Sequence, residues 1–317
     1  MDWLYWSLLG LVATILIFVI TPGLVSYFTV FARKSATPLD RQDLVKAGFG
    51  TCASQITQAL PPWEQLPLRP VAAAACDGQL MVAEYCPGTN GRTVIFFHGY
   101  RACPRNNFFK QAVDFYQQGY GLLLVHQRGH NESGGTKTTF GLKERYDVLT
   151  WVDWVLTQDP NTKIMLYGTS MGAATVAYAS PLLPKQSVVA MVLDSGFVCP
   201  YDMLAWECKK RSAPYQLILW MVRWLMKRNH GVDLKETTID SLARTDVPAL
   251  FLCGTADETV PDAIVRDAYD HCSAEKELIV VPNAPHTMAY LVGGSAVKAQ
   301  LFAFADRFFA PQQGEKR

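Results

Sequence analysis

Charge is scarce in this sequence. Only 18% of the 317 residues are charged and the net charge is +1, so there is no basic surplus to attract phosphates and no case for a nucleic-acid partner. Paired cysteine spacings are missing too: Cys52, Cys76, Cys86, Cys103, Cys199, Cys208, Cys253 and Cys272 include no C-x-x-C. That scatter argues against zinc ligation and a disulfide framework and suits reduced thiols. No repeat is visible, which excludes a solenoid. What is present is apolar, with half of the residues hydrophobic, enough to bury a large core.

One further absence is local. From Trp3 to Ala32 there is no charged residue, and at about 1.5 Å per residue the run Trp3 to Ile20 is long enough for a helix across a hydrocarbon core of about 30 Å. A cleaved signal peptide and a buried core helix are the competing readings. Asp2 stands where a signal peptide needs basic residues, no clean small-x-small site follows, and the run exceeds a typical h-region. Residues 1–32 are therefore expected to be an uncleaved membrane anchor, ended or kinked at Pro22-Gly23. Arg33, Lys34 and Arg41 follow the span and no basic residue precedes it, which places the remainder in the cytoplasm by the positive-inside rule.

Residues 33–78 read as a connecting segment containing Pro61, Pro62, Pro67 and Pro70. Beyond it, short apolar runs alternate with helical patterns, the signature of a mostly parallel sheet with helices on both faces. Strands are predicted at 80–85, 93–97, 121–126, 163–167, 188–193, 249–253 and 277–281. Helices are predicted at 107–117, 142–157, 171–179, 262–272 and 296–309. In the second of these, Tyr146, Leu149, Trp151, Val152, Val155 and Leu156 recur near helical period and would cover the sheet. About fifty residues between the strands at 188 and 249 exceed any ordinary connection, and a helical lid insertion is assigned to 197–246. Residues 311–317 look like a disordered tail.

Chemistry centres on Gly168-Thr169-Ser170-Met171-Gly172, which follows a predicted strand and opens a predicted helix. In that context G-x-S-x-G permits a strained strand-to-helix turn that holds the serine oxygen out at the carboxyl edge of the sheet. A serine hydroxyl also needs a base. His286 follows the last strand, and Asp257 follows the one before it, so serine, acid and histidine come in the chain order this turn requires. Asp194 and Glu258 remain alternatives for the acid. Two donors must hold the developing oxyanion: the amide of Met171 is one, and the amide of Tyr100, in His98-Gly99-Tyr100-Arg101 after another strand, is the expected second. His98 is expected to support that loop rather than react.

From Thr93 to Phe309 the chain resembles the α/β-hydrolase superfamily. Gln127-Arg128-Gly129-His130-Asn131-Glu132-Ser133-Gly134-Gly135 looks like its loop after strand four, with Asn131 where glycine is usual. Thr139 to Val148 is similar to bacterial esterase-like members, several of which carry an amino-terminal membrane anchor. The resemblance implies an α/β-hydrolase fold, with a mostly parallel sheet of about eight strands over residues 79–310, and acyl transfer without metal or organic cofactor. The insertion mixes Met203, Trp206, Trp220, Met221, Trp224 and Met226 with basic residues. Trp206, Trp220 and Trp224 are accordingly candidate substrate-binding residues for a hydrophobic acyl ester or thioester taken from the membrane. A serine peptidase uses the same machinery and stays open, as does a catalytically inactive membrane-tethered binding protein.

Overall fold

The computed structural model describes residues 2–40, 42–43, 52–210 and 215–309; Arg41 and the tail 311–317 lie outside the described residues. In chain order the elements are α1 (Asp2–Ile15), a π-helical segment (Leu16–Ile20), α2 (Thr21–Val30), α3 (Ala53–Glu64), β1 (Arg69–Ala74), β2 (Leu80–Cys86), β3 (Arg92–Phe97), α4 (Pro104–Phe108), α5 (Gln111–Gln117), β4 (Gly121–His126), α6 (Glu144–Gln158), β5 (Lys163–Thr169), α7 (Met171–Ala179), β6 (Val188–Asp194), α8 (Pro200–Lys210), α9 (Gln216–His230), α10 (Thr238–Leu242), β7 (Ala249–Gly254), α11 (Asp262–His271), β8 (Lys276–Val281) and α12 (Ala289–Phe309). Two compact units result. One gathers α1, α2, α8 and α9, and the other holds the sheet and the remaining helices.

The sheet runs β1-β2-β4-β3-β5-β6-β7-β8. β2 is antiparallel to both neighbours, and every later pairing is parallel. Parallel strands covered on both faces read as unbroken apolar runs, and β4 and β7 are buried at every position. Seven strands stand where the sequence predicts them, to within about two residues. The eighth, β1, falls inside the segment 33–78 that was expected only to connect. Pro70 lacks an N–H and alanine adds little strand propensity, so the run Arg69-Pro-Val-Ala-Ala-Ala carries a weak local signal, yet such a strand is tolerated at a sheet edge. The same segment contributes Ile56, Ala59, Leu60 and Trp63 of α3 to the main hydrophobic core.

Two helices differ instructively from expectation. The pattern over 107–117 divides into α4 and α5. The helix expected from Ala296 begins at Ala289, because Gly294 (φ 53°, ψ −132°) bends the chain between two helical stretches. On α6 the buried face is Asp147, Val148, Trp151, Val152 and Val155, while Tyr146 is exposed. The buried Asp147 carboxylate receives Arg128 Nε at 2.9 Å and Nη2 at 2.6 Å, and Arg128 also donates to Asp77 at 2.5 Å and 3.1 Å. Burial pushes the Asp147 carboxyl up to about 6, so its charge depends on this guanidinium. Arg128→Met strands a buried carboxylate and should lower stability by about 3–5 kcal/mol, read from the unfolding midpoint in denaturant.

In the other unit, α1 through α2 form an apolar helical run from Trp3 to Val30, long enough to cross a bilayer. α9 packs on α2: a Cβ added at Gly23 would lie 2.4 Å from the Met221 Cε, and Tyr27 Oη is 2.8 Å from His230 Nε2. Asn229 Nδ2 donates to the same phenol at 3.2 Å.

Candidate active site

β5 ends at Thr169, and Ser170 turns the chain into α7 with φ 55° and ψ −115°, a conformation that is strained for any residue with a Cβ. The flanking glycines are required by close approach. A Cβ at Gly172 would stand 1.8 Å from the Phe97 carbonyl oxygen, and one at Gly168 would stand 2.3 Å from that of Gly172. The Ser170 amide donates to the Asp194 carbonyl at 2.8 Å, which ties the turn to β6. α7 then presents its first amides, with their partial positive charge, beside the serine oxygen.

Ser170 Oγ lies 2.9 Å from His286 Nε2. His286 Nδ1 lies 2.6 Å from Asp257 Oδ2, so the imidazole bridges nucleophile and carboxylate. Asp257 has a fully buried side chain, and its other oxygen accepts the amides of Thr259 and Val260 at 2.9 Å and 2.8 Å. The competing carboxylate, Asp194, faces elsewhere: it accepts from Ser195 Oγ at 3.0 Å and from the Tyr167 phenol at 3.5 Å. Complete burial pushes Asp194 up to about 7, which leaves it a poor partner for an imidazolium near neutrality. Glu258, the third candidate, is exposed.

The loop after β3 runs beside the nucleophile, where a Cβ at Gly99 would meet the Ser170 Cβ at 3.4 Å. The Gly99 amide donates to Asn107 Oδ1 at 2.7 Å and the Arg101 amide to His130 Nε2 at 3.1 Å. The Tyr100 amide lies between these two anchored neighbours. His98 is wholly buried, and that burial holds its imidazole well below the usual histidine range. The ring is neutral, and it joins two loops by donating from Nδ1 to the Gly99 carbonyl at 2.7 Å and accepting the Gln127 amide at Nε2 at 3.1 Å. Burial pushes the Cys253 thiol up to about 12 and Cys199 to about 11, far from the thiolate a nucleophile needs.

A family model described as alpha/beta hydrolase fold matches residues 92–234. The chain has an α/β-hydrolase fold. The uncharacterized protein YqkD of Bacillus subtilis (strain 168) is 25% identical over 227 residues, 69% of this chain and 73% of that protein. The uncharacterized membrane protein YNL320W of Saccharomyces cerevisiae is 25% identical over 192 residues, 59% of this chain and 62% of that protein. The Pyrococcus furiosus esterase Pf2001 superposes with a TM-score of 0.67 at 20% identity, covering 88% of this chain and 98% of that structure.

In this α/β-hydrolase fold, Asn131 takes φ 45°, so the residue at the usual glycine position adopts the left-handed backbone that asparagine tolerates. Its side chain accepts the Ala36 amide at 2.7 Å. Two site-building residues carry no sequence signal. Asn107 holds Gly99 from α4. Ser195, with φ 53°, donates to Asp194 and accepts the Thr287 amide at 3.4 Å, bracing the residue after His286. Ser195 acts between loops far apart in the chain, and Asn107 acts from a short helix on the loop that precedes it, contacts that no local pattern encodes. Trp206 on α8 and Trp220 and Trp224 on α9 are exposed by 42%, 62% and 51%.

Proposed function

We propose that this chain is a membrane-anchored serine hydrolase that cleaves acyl esters or thioesters through an acyl-enzyme on Ser170. The observation that carries this reading is the unbroken run from Ser170 Oγ through His286 to Asp257, at 2.9 Å and 2.6 Å. His286 Nε2 takes the hydroxyl proton as Oγ attacks the acyl carbonyl. Asp257 holds Nδ1–H and stabilises the imidazolium, and the Met171 and Tyr100 amides receive the oxyanion. The imidazolium then protonates the leaving alkoxide or thiolate. Water attacks the acyl-enzyme with His286 again as base, releasing the acid and restoring Ser170.

The anchor is supported by side chains such as Trp3, Trp6, Ile17 and Phe18, each more than 60% exposed, which suits lipid and would be costly in water. A segment removed during export would also leave Met221 and His230 without their partners on α2. The cytoplasmic placement rests on Arg33 and Lys34 after the span. Cys76 tests it, being exposed and in the same unit as the triad. A membrane-impermeant maleimide should leave Cys76 unlabelled in intact cells and label it after permeabilisation, with Cys76→Ser as the reference; labelling of intact cells would put the site on the outer face.

The substrate class is tested with the full chain in vesicles, by turnover of esters of increasing acyl length. Rising kcat/KM with chain length is expected. A strict preference for short, charged acyl groups would remove the lipid-like substrate from the reading while leaving the hydrolase intact.

A further inference from the structure

The inserted α9 carries an apolar face of its own. Leu217, Trp220 and Trp224 are exposed by 62%, 62% and 51%, at the i, i+3 and i+7 spacing of one helical stripe. The opposite positions Leu219, Val222 and Met226 are buried, so core packing does not account for the exposed ones. The stripe ends on Arg228, whose guanidinium lies 5.8 Å from the Trp224 ring centroid, and Lys227 beside it is exposed. Between 199 and 236 there are seven Lys or Arg against four Asp or Glu, although the chain as a whole is almost neutral.

The helix on which α9 packs supplies the depth. Trp3 to Ile20 is eighteen residues, about 27 Å of helix against about 30 Å of hydrocarbon. Gly23 and Tyr27 follow, about 5 and 10 Å further along. They therefore stand at and just beyond the headgroup layer, and they are the residues that meet Met221 and His230 of α9. At 3.6 residues per turn, Leu217, Trp220, Trp224 and Arg228 fall within about 80° of one another, and Met221 borders them. The stripe thus flanks the anchor helix at interfacial depth, with aromatic rings where a bilayer favours them and cations where anionic headgroups lie.

We propose that α9 lies in the lipid–water interface, with Leu217, Trp220 and Trp224 inserted among the headgroups of an anionic bilayer and Lys227 and Arg228 against its phosphates. The insertion is then a second membrane contact, held in register by α2. This rests on the membrane-anchor part of the proposed function and is independent of the ester chemistry.

The test uses the full chain in vesicles of phosphatidylcholine and phosphatidylglycerol, with phosphatidylcholine brominated on the upper acyl chain as quencher. Fluorescence lost in Trp220→Phe/Trp224→Phe reports the α9 pair, fluorescence lost in Trp3→Phe/Trp6→Phe reports the span, and circular dichroism confirms that each variant is folded. The α9 pair should be quenched by bromolipid and sheltered from aqueous acrylamide. Lys227→Gln/Arg228→Gln should lower that quenching toward its value in vesicles of phosphatidylcholine alone. A pair open to acrylamide and untouched by bromolipid, while Trp3 and Trp6 are quenched, overturns the inference and leaves the anchor standing. A pair sheltered from both quenchers means that protein covers the face, which also overturns it. Escape of Trp3 and Trp6 from bromolipid removes the anchor, and the inference with it.

Discussion

Ser170→Ala is expected to abolish covalent capture by a fluorophosphonate and to lower ester turnover by about 10⁴- to 10⁶-fold, with a residue of activity from the oxyanion donors and substrate binding alone. The size follows from the way the three side chains act as one unit. His286 has no proton to collect without the Oγ that lies 2.9 Å away, so the loss of one member costs nearly as much as the loss of all. Asp257→Asn separates roles within that unit. It preserves the shape of the 2.6 Å contact to Nδ1 but presents an amide where an anion is needed, and it should cost about 10⁴-fold in kcat while leaving the labelled site on Ser170. Asp194→Asn should leave the proton relay in place, since Asp194 bonds to Ser195 and Tyr167 rather than to His286. Labelling that persists in folded Ser170→Ala protein would refute the assignment of the nucleophile. Absence of labelling in the native chain would favour an inactive binding protein on the same fold.

The second large effect is expected from one added methyl group. In Gly172→Ala the new Cβ would fall 1.8 Å from the Phe97 carbonyl oxygen and near that of His98. Backbone at the end of β3 cannot swing aside as a long side chain would, so α7 must shift as a body. Overpacking of this kind should cost about 3 kcal/mol, the upper end of the usual range, visible as a lowered unfolding midpoint. The shift would also move the Met171 amide away from the oxyanion position, so whatever protein remains folded should label more slowly with fluorophosphonate. Gly23→Ala offers a contrast. Its nearest neighbour is the terminal methyl of Met221, which can rotate away, and a loss of under about 1.5 kcal/mol is expected. An equal loss in both variants would show that the tight approach at Gly172 has been misjudged.

Much of this molecule is written in short windows. The apolar runs that became β3 to β7 are legible because a strand buried on both faces needs no polar alternation. The G-x-S-x-G turn is legible because its glycines answer to atoms within a few residues, or at the end of a neighbouring strand. The positions of Asp257 and His286 after successive strands put them at one sheet edge by topology alone. β1 was hidden because an edge strand tolerates proline and alanine, and its pairing with β2 comes from a partner rather than from its own residues.

The sequence by itself determined the order of the strands from β2 onward, the apolar amino-terminal helix, and the serine and histidine that meet at the carboxyl edge of the sheet. Only the tertiary structure decided which carboxylate His286 faces, since Asp194 and Asp257 both end or follow strands and differ in burial and hydrogen bonding alone. It also decided that α9 belongs with α2, some two hundred residues earlier in the chain (Tyr27 to His230). Periodicity shows that a helix has an apolar face, and it says nothing of what that face meets. That choice rests on shape and depth, on a glycine at Gly23 that admits Met221 and on a phenol within reach of His230, and these exist only once the chain has folded.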